Sequence, residues 1–202
     1  MTPTSPVLFH FDFSSPYSYL ASEKIDALAE KYGRKVQWRP ILLGAIAKTL
    51  GTVTLTSQPG QAAYSVRDFA RSARFMDIPY RHPAVFPIST VGAARAYYRL
   101  HGQDCALARR FAHEVFRAYF VAGRNISDAA VVLELARKVG ADGTAVEAGM
   151  SDPAIKDRLR AETDAAIAAG VFGAPWIVVD GEPFWGADRL PQIERWLETG
   201  GF

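Results

Sequence analysis

The chain has 202 residues, of which 49% are hydrophobic and 22% are charged, a composition typical of a globular protein with one sizeable core. Its 23 basic and 21 acidic side chains are spread along the sequence and leave a net charge of +2. Because no basic run concentrates this charge, we expect neither a nucleic acid nor a membrane surface as a partner. No apolar run approaches the roughly 18 residues of a membrane span, and Met1 to Pro6 lacks the basic start of a signal peptide. We therefore expect a cytoplasmic location.

The single cysteine, Cys105, excludes a dithiol–disulfide oxidoreductase, because that chemistry needs two neighbouring thiols. No activating motif surrounds Cys105, and we interpret it as an inert structural thiol. The segment His113 to Arg117 begins like a zinc-protease helix, but an arginine stands where the second metal-binding histidine is required. We expect no metal site.

The first 40 residues predict a βαβ unit. Val7 to Phe13 is an apolar, aromatic-rich run of strand length, and Lys35 to Arg39 alternates polar and apolar residues as a second strand would. Between them, an apolar stripe at spacings of three and four predicts one helix that ends at Gly33. The residues of this stripe are Tyr17, Ala21, Ile25, Leu28 and Tyr32. A unit of this length implies parallel strands joined by a right-handed crossover.

The middle of the chain, Ile41 to Gly149, carries mainly helical signals. The best-marked helices are Cys105 to Val121 and Asp128 to Val139. A polar loop, Thr52 to Pro59, and a proline-rich loop, Ile78 to Pro87, precede them.

Mixed structure returns at the end of the chain. Asp152 and Pro153 form a good N-cap and first helical residue for a helix that runs to Gly170. Two short strands, Trp176 to Val179 and Glu182 to Trp185, flank the hairpin turn signal Asp180-Gly181. A last helix begins at Asp188.

This order predicts an α/β fold of the thioredoxin-like class, with an all-helical domain inserted between an N-terminal βαβ and a C-terminal ββα. We predict a single domain over residues 1–202. About 41–150 would be the helical insertion, and 1–40 with 151–202 would be the thioredoxin-like part.

Ser15 is the first candidate for chemistry. Its local sequence, with Pro16 as the first helical residue, fits a helix N-cap. The same place also offers unpaired N–H groups and partial positive charge, so a hydroxyl there could donate to a bound thiolate or oxyanion. No base is arranged by the sequence to deprotonate Ser15, which disfavours a nucleophilic serine.

Two C-terminal segments are further candidates. Gly173-Ala174-Pro175 is either a plain turn or, with a cis Ala174–Pro175 bond, a place where the Ala174 backbone pairs with an extended peptide ligand. Asp188 is an N-cap for Leu190 to Leu197 when read locally, although its carboxylate could also receive a ligand's ammonium group. We interpret Asp12 as a satisfied structural acid rather than a proton-handling group, and His82 as a solvated loop histidine rather than a contact for a substrate carboxylate.

Four segments together resemble the family of 2-hydroxychromene-2-carboxylate isomerases and kappa-class glutathione transferases. They are Phe11 to Leu20, Arg39 to Ile46, Val171 to Pro175 and Trp185 to Leu190. They follow the family's order from about Val7 to Leu197. The wider group includes the bacterial DsbA-type oxidoreductases, whose C-x-x-C would fall on Ser15 and Ser18.

The resemblance implies glutathione as the cofactor. It implies that Ser15 hydrogen-bonds the glutathione sulfur, and that the backbone of Ala174, before a Pro175 that is cis in the family, pairs with the cysteinyl part. Ala187 and Asp188 would hold the γ-glutamyl end. Thr52 stands where the family usually carries asparagine, and its hydroxyl lacks the separate donor and acceptor of an amide. Thr54 to Gln58 also departs from the family pattern.

The expected activity is glutathione-dependent isomerisation of a small aromatic carboxylate. The thiolate would add to an electron-poor double bond of an aromatic-derived pyruvate, allow rotation and ring opening, and leave again. Arg39 and the Phe86 region are candidate substrate contacts. Two alternatives stay open, namely a kappa-type glutathione transferase and a non-catalytic thioredoxin-fold module that binds peptides. A homodimer is also left open, because members of the family often form dimers.

Overall fold

The computed structural model describes residues 5–52 and 59–202. Within these residues four strands form one mixed sheet of order β2-β1-β3-β4. The strands are β1 (Val7–Phe11), β2 (Val36–Pro40), β3 (Trp176–Val179) and β4 (Glu182–Trp185). β1 pairs in parallel with β2 and antiparallel with β3, and β4 completes the hairpin with β3. The predicted parallel pair and the predicted C-terminal hairpin are both confirmed.

Ten α-helices and one 3₁₀ turn are found in the described part of the chain. The helices are α1 (Pro16–Ser22), α2 (Ile25–Lys31), α3 (Leu43–Leu50), α4 (Pro59–Phe75), α5 (Val91–His101), α6 (Cys105–Phe120), α7 (Ala129–Lys138), α8 (Gly143–Ser151), α9 (Pro153–Ala168) and α10 (Leu190–Thr199), with the 3₁₀ turn at Ala187–Arg189. Six of these helices, α3 to α8, lie between β2 and α9, where the sequence predicts a helical insertion. None of the helices described is both long and apolar enough to cross a membrane.

The prediction of a single helix between β1 and β2 is wrong, because the chain forms two short helices there. The Ser22 hydroxyl donates to the Tyr19 carbonyl at 2.7 Å, and such a local bond competes with helix continuation. The next side chain, Glu23, accepts from Arg117 of α6 at 2.8 Å. The chain then restarts at Ile25, which is fully buried. The contact with α6 thus favours a helix break between Ser22 and Ile25, which the apolar stripe does not indicate.

The predicted N-cap at Asp188 is also wrong. Residues 187–189 form a 3₁₀ turn, and Arg189 occupies the N-cap position of α10. The exposed Asp188 carboxylate pairs with the Arg189 guanidinium at 3.1 Å and makes no cap hydrogen bond. By contrast, the predicted cap at Asp152 is confirmed, because its side chain accepts from the Ala154 N–H at 2.8 Å.

An aromatic core packs the sheet against the inserted helices. Phe11 of β1 lies 5.6 Å from Phe116 of α6 and 5.9 Å from Tyr97 of α5, measured between ring centroids. The hydroxyl of Tyr98 donates to the Pro40 carbonyl at 2.8 Å and holds α5 at the end of β2. The carboxyl ends of β1 and β2 therefore meet the start of α1 at one edge of the sheet, the edge where open α/β sheets bind ligands.

Candidate active site

A cavity of about 1440 Å³ opens beside the start of α1. Five of the six site residues predicted from the sequence line it: Ser15, Thr52, Ala174, Ala187 and Asp188. The sixth, Pro175, is buried and is not among the lining residues. The folded chain thus brings together residues that lie more than 150 positions apart in the sequence.

Ser15 joins two of these segments through its hydroxyl. The side chain is 6% exposed, and its Oγ accepts from the Ser18 N–H at 3.1 Å, which confirms the predicted N-cap. The same Oγ donates to the Ala174 carbonyl at 2.9 Å. A serine has a single O–H to donate, so in this arrangement the donor is engaged by the protein itself. A ligand that took over the Ala174 carbonyl would release that donor into the cavity.

The loop that carries Ala174 is held next to the 3₁₀ turn. The Ala174–Pro175 peptide bond is cis, as the resemblance implied. The Pro175 carbonyl accepts from the Gly186 N–H at 3.1 Å. Gly186 has φ +112°, a backbone conformation that favours glycine, and a Cβ there would lie 2.3 Å from Oδ1 of Asp188, so the Asp188 side chain would have to move. The hydrogen bond thus joins the segment that carries Ala174 to the turn that carries Asp188, whose side chain is 69% exposed.

The Asp12 carboxylate connects the segments that form the site through hydrogen bonds. Its buried carboxylate accepts four hydrogen bonds, from the Ser14 N–H and hydroxyl at 2.8 and 2.9 Å, the Leu43 N–H at 2.8 Å and the Thr90 hydroxyl at 3.0 Å. Burial raises the pKa of Asp12 above its ordinary value, although these four donors oppose the shift. The interpretation as a satisfied acid is confirmed. The carboxylate ties the end of β1 to the starts of α3 and α5.

Thr52 follows α3 and lines the edge of the cavity. Gly51 ends α3 with φ +64°, and the Thr52 N–H then donates to the Ala47 carbonyl at 3.0 Å. The Thr52 residue is exposed, so its hydroxyl is accessible. The neighbouring departure from the family pattern, Thr54 to Gln58, lies outside the described residues.

One wall of the cavity was not predicted from the sequence. The Tyr17 ring packs against Phe69 of α4 at 5.0 Å, and its hydroxyl donates to Asp68. Burial, together with the hydrogen bond to Asp68, raises the pKa of Tyr17 well above its ordinary value. Phe86, which the sequence did nominate, lines the same wall. No local sequence pattern indicates that α4 packs against α1. The contact between Tyr17 and Phe69 could therefore not be predicted from the sequence.

Arg39 and His82 do not take part in the lining of the cavity. The Arg39 guanidinium donates to Gln37 on the same strand at 3.1 Å, so its place outside the lining gives no support to its predicted contact with a substrate. His82 packs against Phe86 at 5.0 Å and its Nδ1 lies 2.9 Å from the Tyr80 hydroxyl. It is a packed, half-buried loop histidine rather than a solvated one, and burial lowers its pKa.

The chemistry available in the described part of the cavity is that of hydrogen-bond donors and acceptors. No histidine lines the cavity there, so Ser15 has no imidazole base at hand. No group of acidic, histidine or cysteine side chains in residues 5–52 and 59–202 could hold a metal ion. Cys105 is exposed at the start of α6 and does not line the cavity, and its interpretation as an inert structural thiol stays a prediction.

Known proteins share this fold and about a third of this sequence or less. The model of the DSBA-like thioredoxin domain family matches residues 6–198. The chain is 33% identical to the 2-hydroxychromene-2-carboxylate isomerase of Sphingobium xenophagum, over 96% of this chain and 98% of that protein. It is 30% identical to glutathione S-transferase kappa 1 of Caenorhabditis elegans, over 94% and 89% of the two chains. A solved structure of a 2-hydroxychromene-2-carboxylate isomerase superposes with a TM-score of 0.87 at 29% identity, over 96% and 95% of the chains.

A thioredoxin-type sheet, an inserted helical block and a serine at the start of α1 define a DsbA-like protein without a redox pair. The chain belongs to the DSBA-like thioredoxin domain family, and within it to the group of 2-hydroxychromene-2-carboxylate isomerases and kappa-class glutathione transferases. The predicted family, fold class and enzyme class, an isomerase with a transferase as the alternative, agree with these relatives.

Proposed function

We propose that the chain is a glutathione-dependent isomerase that acts on aromatic degradation intermediates of the 2-hydroxychromene-2-carboxylate kind. One observation carries the proposal. The hydroxyl of Ser15 and the carbonyl of Ala174 lie 2.9 Å apart at the wall of a large cavity, so a thiolate donor and a peptide acceptor stand side by side. A cysteinyl peptide is the ligand that needs this pair.

The Ser15–Ala174 bond supports an exchange of partners on binding. A cysteinyl N–H that donates to the Ala174 carbonyl would free the Ser15 O–H, which could then donate to the sulfur. The Ser18 N–H still donates to Oγ at 3.1 Å and keeps the hydroxyl in place. A hydrogen bond to a charged acceptor is stronger than one to a neutral carbonyl, so the exchange favours the thiolate over the thiol.

The remaining contacts fit the charged groups of glutathione. The exposed Asp188 carboxylate could pair with the γ-glutamyl ammonium, and the neighbouring Arg189 guanidinium could receive a carboxylate. The accessible Thr52 hydroxyl could donate one hydrogen bond toward the tripeptide. When bound, glutathione supplies a thiolate that adds reversibly to an electron-poor double bond and so permits rotation about it. The protein then needs to hold the sulfur and the ring in place, and Ser15 requires no base for that role.

A kappa-type glutathione transferase is the second candidate, favoured by the 30% identity to the Caenorhabditis elegans protein. It would use the same thiolate site. Only the fate of glutathione separates the two activities, because an isomerase returns it and a transferase consumes it. A cytoplasmic location and the option of a homodimer stay predictions from the sequence.

The test is calorimetric titration of glutathione into the wild-type protein and Ser15→Ala between pH 6 and 9. We expect the wild type to bind with release of protons, and Ser15→Ala to bind more weakly with less release. Ser127→Ala, on an exposed loop, is the matched control and should behave as wild type. Turnover of 2-hydroxychromene-2-carboxylate with glutathione below the substrate concentration would establish the isomerase. No binding of glutathione by the wild type would overturn the proposal and leave the peptide-binding module.

A further inference from the structure

Two exposed aromatic side chains, Phe172 and Trp185, form a rim of the cavity. Both come from the C-terminal part of the chain, unlike the residues of the Tyr17 wall. Phe172 is 49% exposed and Trp185 is 47% exposed, and both line the cavity. Their rings meet edge to face with centroids 4.8 Å apart. We call this pair the aromatic rim. Large apolar side chains that stay half exposed inside a concave site are typical of ligand-binding surfaces.

The aromatic rim is held in a fixed geometry. Trp185 on β4 is the cross-strand partner of Trp176 on β3, and the Phe172 ring lies 4.9 Å from Trp176 as well as against Trp185. The indole of Trp185 also lies directly over Gly173, where a Cβ would be 2.4 Å from Nε1. The absence of a side chain at residue 173 is therefore what allows the indole to occupy this position. Rings fixed in advance lose little side-chain entropy when a ligand packs on them.

The position of the aromatic rim connects it with two segments of the candidate glutathione site. Phe172 lies two residues before Ala174, whose carbonyl accepts from Ser15, and Trp185 lies directly before Gly186 and the turn with Asp188. A ring packed on this rim would lie beside the segment proposed to bind the cysteinyl group. Phe172 and Trp185 contribute aromatic surface and no charge, so they would select the ligand by its ring.

We infer that Phe172 and Trp185 determine specificity by binding the aromatic ring of an aryl-conjugated α-keto acid next to Ser15. The inference rests on the proposed function for the identity of the reaction, but the binding of such an acid can be measured without glutathione. It predicts that an aromatic keto acid binds more tightly than an aliphatic one of equal charge, and that the difference depends on these two rings.

The experiment uses benzylidenepyruvate as the aromatic probe and 2-oxohexanoate as the aliphatic one. Calorimetry gives the dissociation constants for the wild type, Phe172→Ala and Trp185→Leu, with Trp185→Phe as a milder variant that keeps a ring. Edge-to-face aromatic contacts are worth enough that each truncation should weaken benzylidenepyruvate binding roughly threefold to tenfold. Binding of 2-oxohexanoate should change less than about twofold by the same reasoning.

The chain supplies a matched control in a second tryptophan–phenylalanine pair. Trp196 and the exposed Phe202 also meet edge to face, at 5.5 Å, and neither lines the cavity. Phe202→Ala should leave benzylidenepyruvate binding unchanged. In ¹⁵N-labelled protein, the indole N–H signal of Trp185, assigned with Trp185→Phe, should shift on titration while that of Trp196 stays in place.

The inference is overturned if the wild type binds neither acid saturably, if Phe172→Ala weakens both probes equally, or if the Trp196 signal moves and that of Trp185 does not. Loss of the aromatic preference with intact, Ser15-dependent glutathione binding would remove this inference alone. Aromatic binding without any glutathione binding would instead remove the proposed function and leave the aromatic rim as a ligand site.

Discussion

The Ser15 hydroxyl donates to the Ala174 carbonyl, a residue 159 positions further along the chain, at 2.9 Å. This bond joins the start of α1 to the loop before β3, and each of its atoms is one that a cysteinyl ligand would use. The protein therefore satisfies the two groups with each other. Buried polar groups that are paired in this way cost little to keep, yet they can change partners on binding.

Replacement of Ser15 by alanine should separate catalysis from folding. The loss of one preorganised donor to a developing anion is expected to lower kcat/KM about 100-fold or more. The lost N-cap should lower the free energy of unfolding by only about 1 kcal/mol. Ser15→Thr keeps both a hydroxyl and the cap and should recover part of the rate. Steady-state kinetics with 2-hydroxychromene-2-carboxylate and urea unfolding give the two quantities.

The pH dependence of kcat/KM gives a second test of the proposed hydrogen bond from Ser15 to the glutathione sulfur. The proposed hydrogen bond from Ser15 to the thiolate would lower the pKa of the glutathione thiol below the value of about 8.5 that is ordinary for a cysteine side chain. In Ser15→Ala that stabilisation is absent, so the ascending limb of the kcat/KM profile should move to higher pH. An unchanged limb in Ser15→Ala would mean that the hydroxyl does not touch the sulfur.

Short-range patterns were enough to predict much of the fold. The hairpin at Asp180-Gly181 was predictable because both residues adopt positive φ, 53° and 91°, which Asp and Gly tolerate. The cap at Asp152 was predictable because its partner is the N–H only two residues away. In such cases the deciding contacts lie within a few residues, and the sequence displays them side by side.

Features decided by distant residues could not be predicted in the same way. The break after Ser22 depends on Arg117, which binds Glu23 from 94 positions away. The wall at Tyr17 depends on Asp68 and Phe69 of α4, whose packing against α1 leaves no mark in either segment. The candidate site residues Ser15, Ala174 and Asp188 were nominated from their local sequences and from the resemblance of their motifs to a family, and no spacing rule placed them together.

Asp12→Asn should destabilise the protein more than Thr90→Val. An amide has one acceptor oxygen and an NH₂ group, so at least one of the donors that faces the Asp12 carboxylate would meet another donor. The expected loss is about 2 kcal/mol in the free energy of unfolding. Thr90→Val removes only one donor and should cost about 1 kcal/mol. Urea unfolding of both variants at pH 7 makes the comparison, and equal losses would contradict the role of Asp12 as the shared acceptor.

His10 should make the protein less stable in mild acid. Burial lowers the pKa of His10 to about 4, from 6.5, and the nearby Arg39 guanidinium contributes to the shift. Between these values His10 is protonated in the unfolded chain but stays neutral in the folded chain. The free energy of unfolding therefore falls as the pH falls from about 6.5 to 4. The full effect is on the order of 3 kcal/mol. His10→Gln, which cannot be protonated, should show a flatter dependence in urea unfolding between pH 4 and 7, and equal slopes would exclude His10 as the cause.

Gly186→Ala should disturb the site, whereas Gly200→Ala should affect stability alone. Both glycines have positive φ, 112° and 78°, so each alanine variant introduces backbone strain of about 1 kcal/mol or more. At residue 186 the new Cβ would also lie 2.3 Å from Oδ1 of Asp188, while at residue 200 nothing lies within 4 Å. Displacement of Asp188 should raise the KM for glutathione severalfold in Gly186→Ala without a comparable change in Gly200→Ala. If both variants keep the wild-type KM, the position that Gly186 gives to the Asp188 carboxylate does not contribute to glutathione binding.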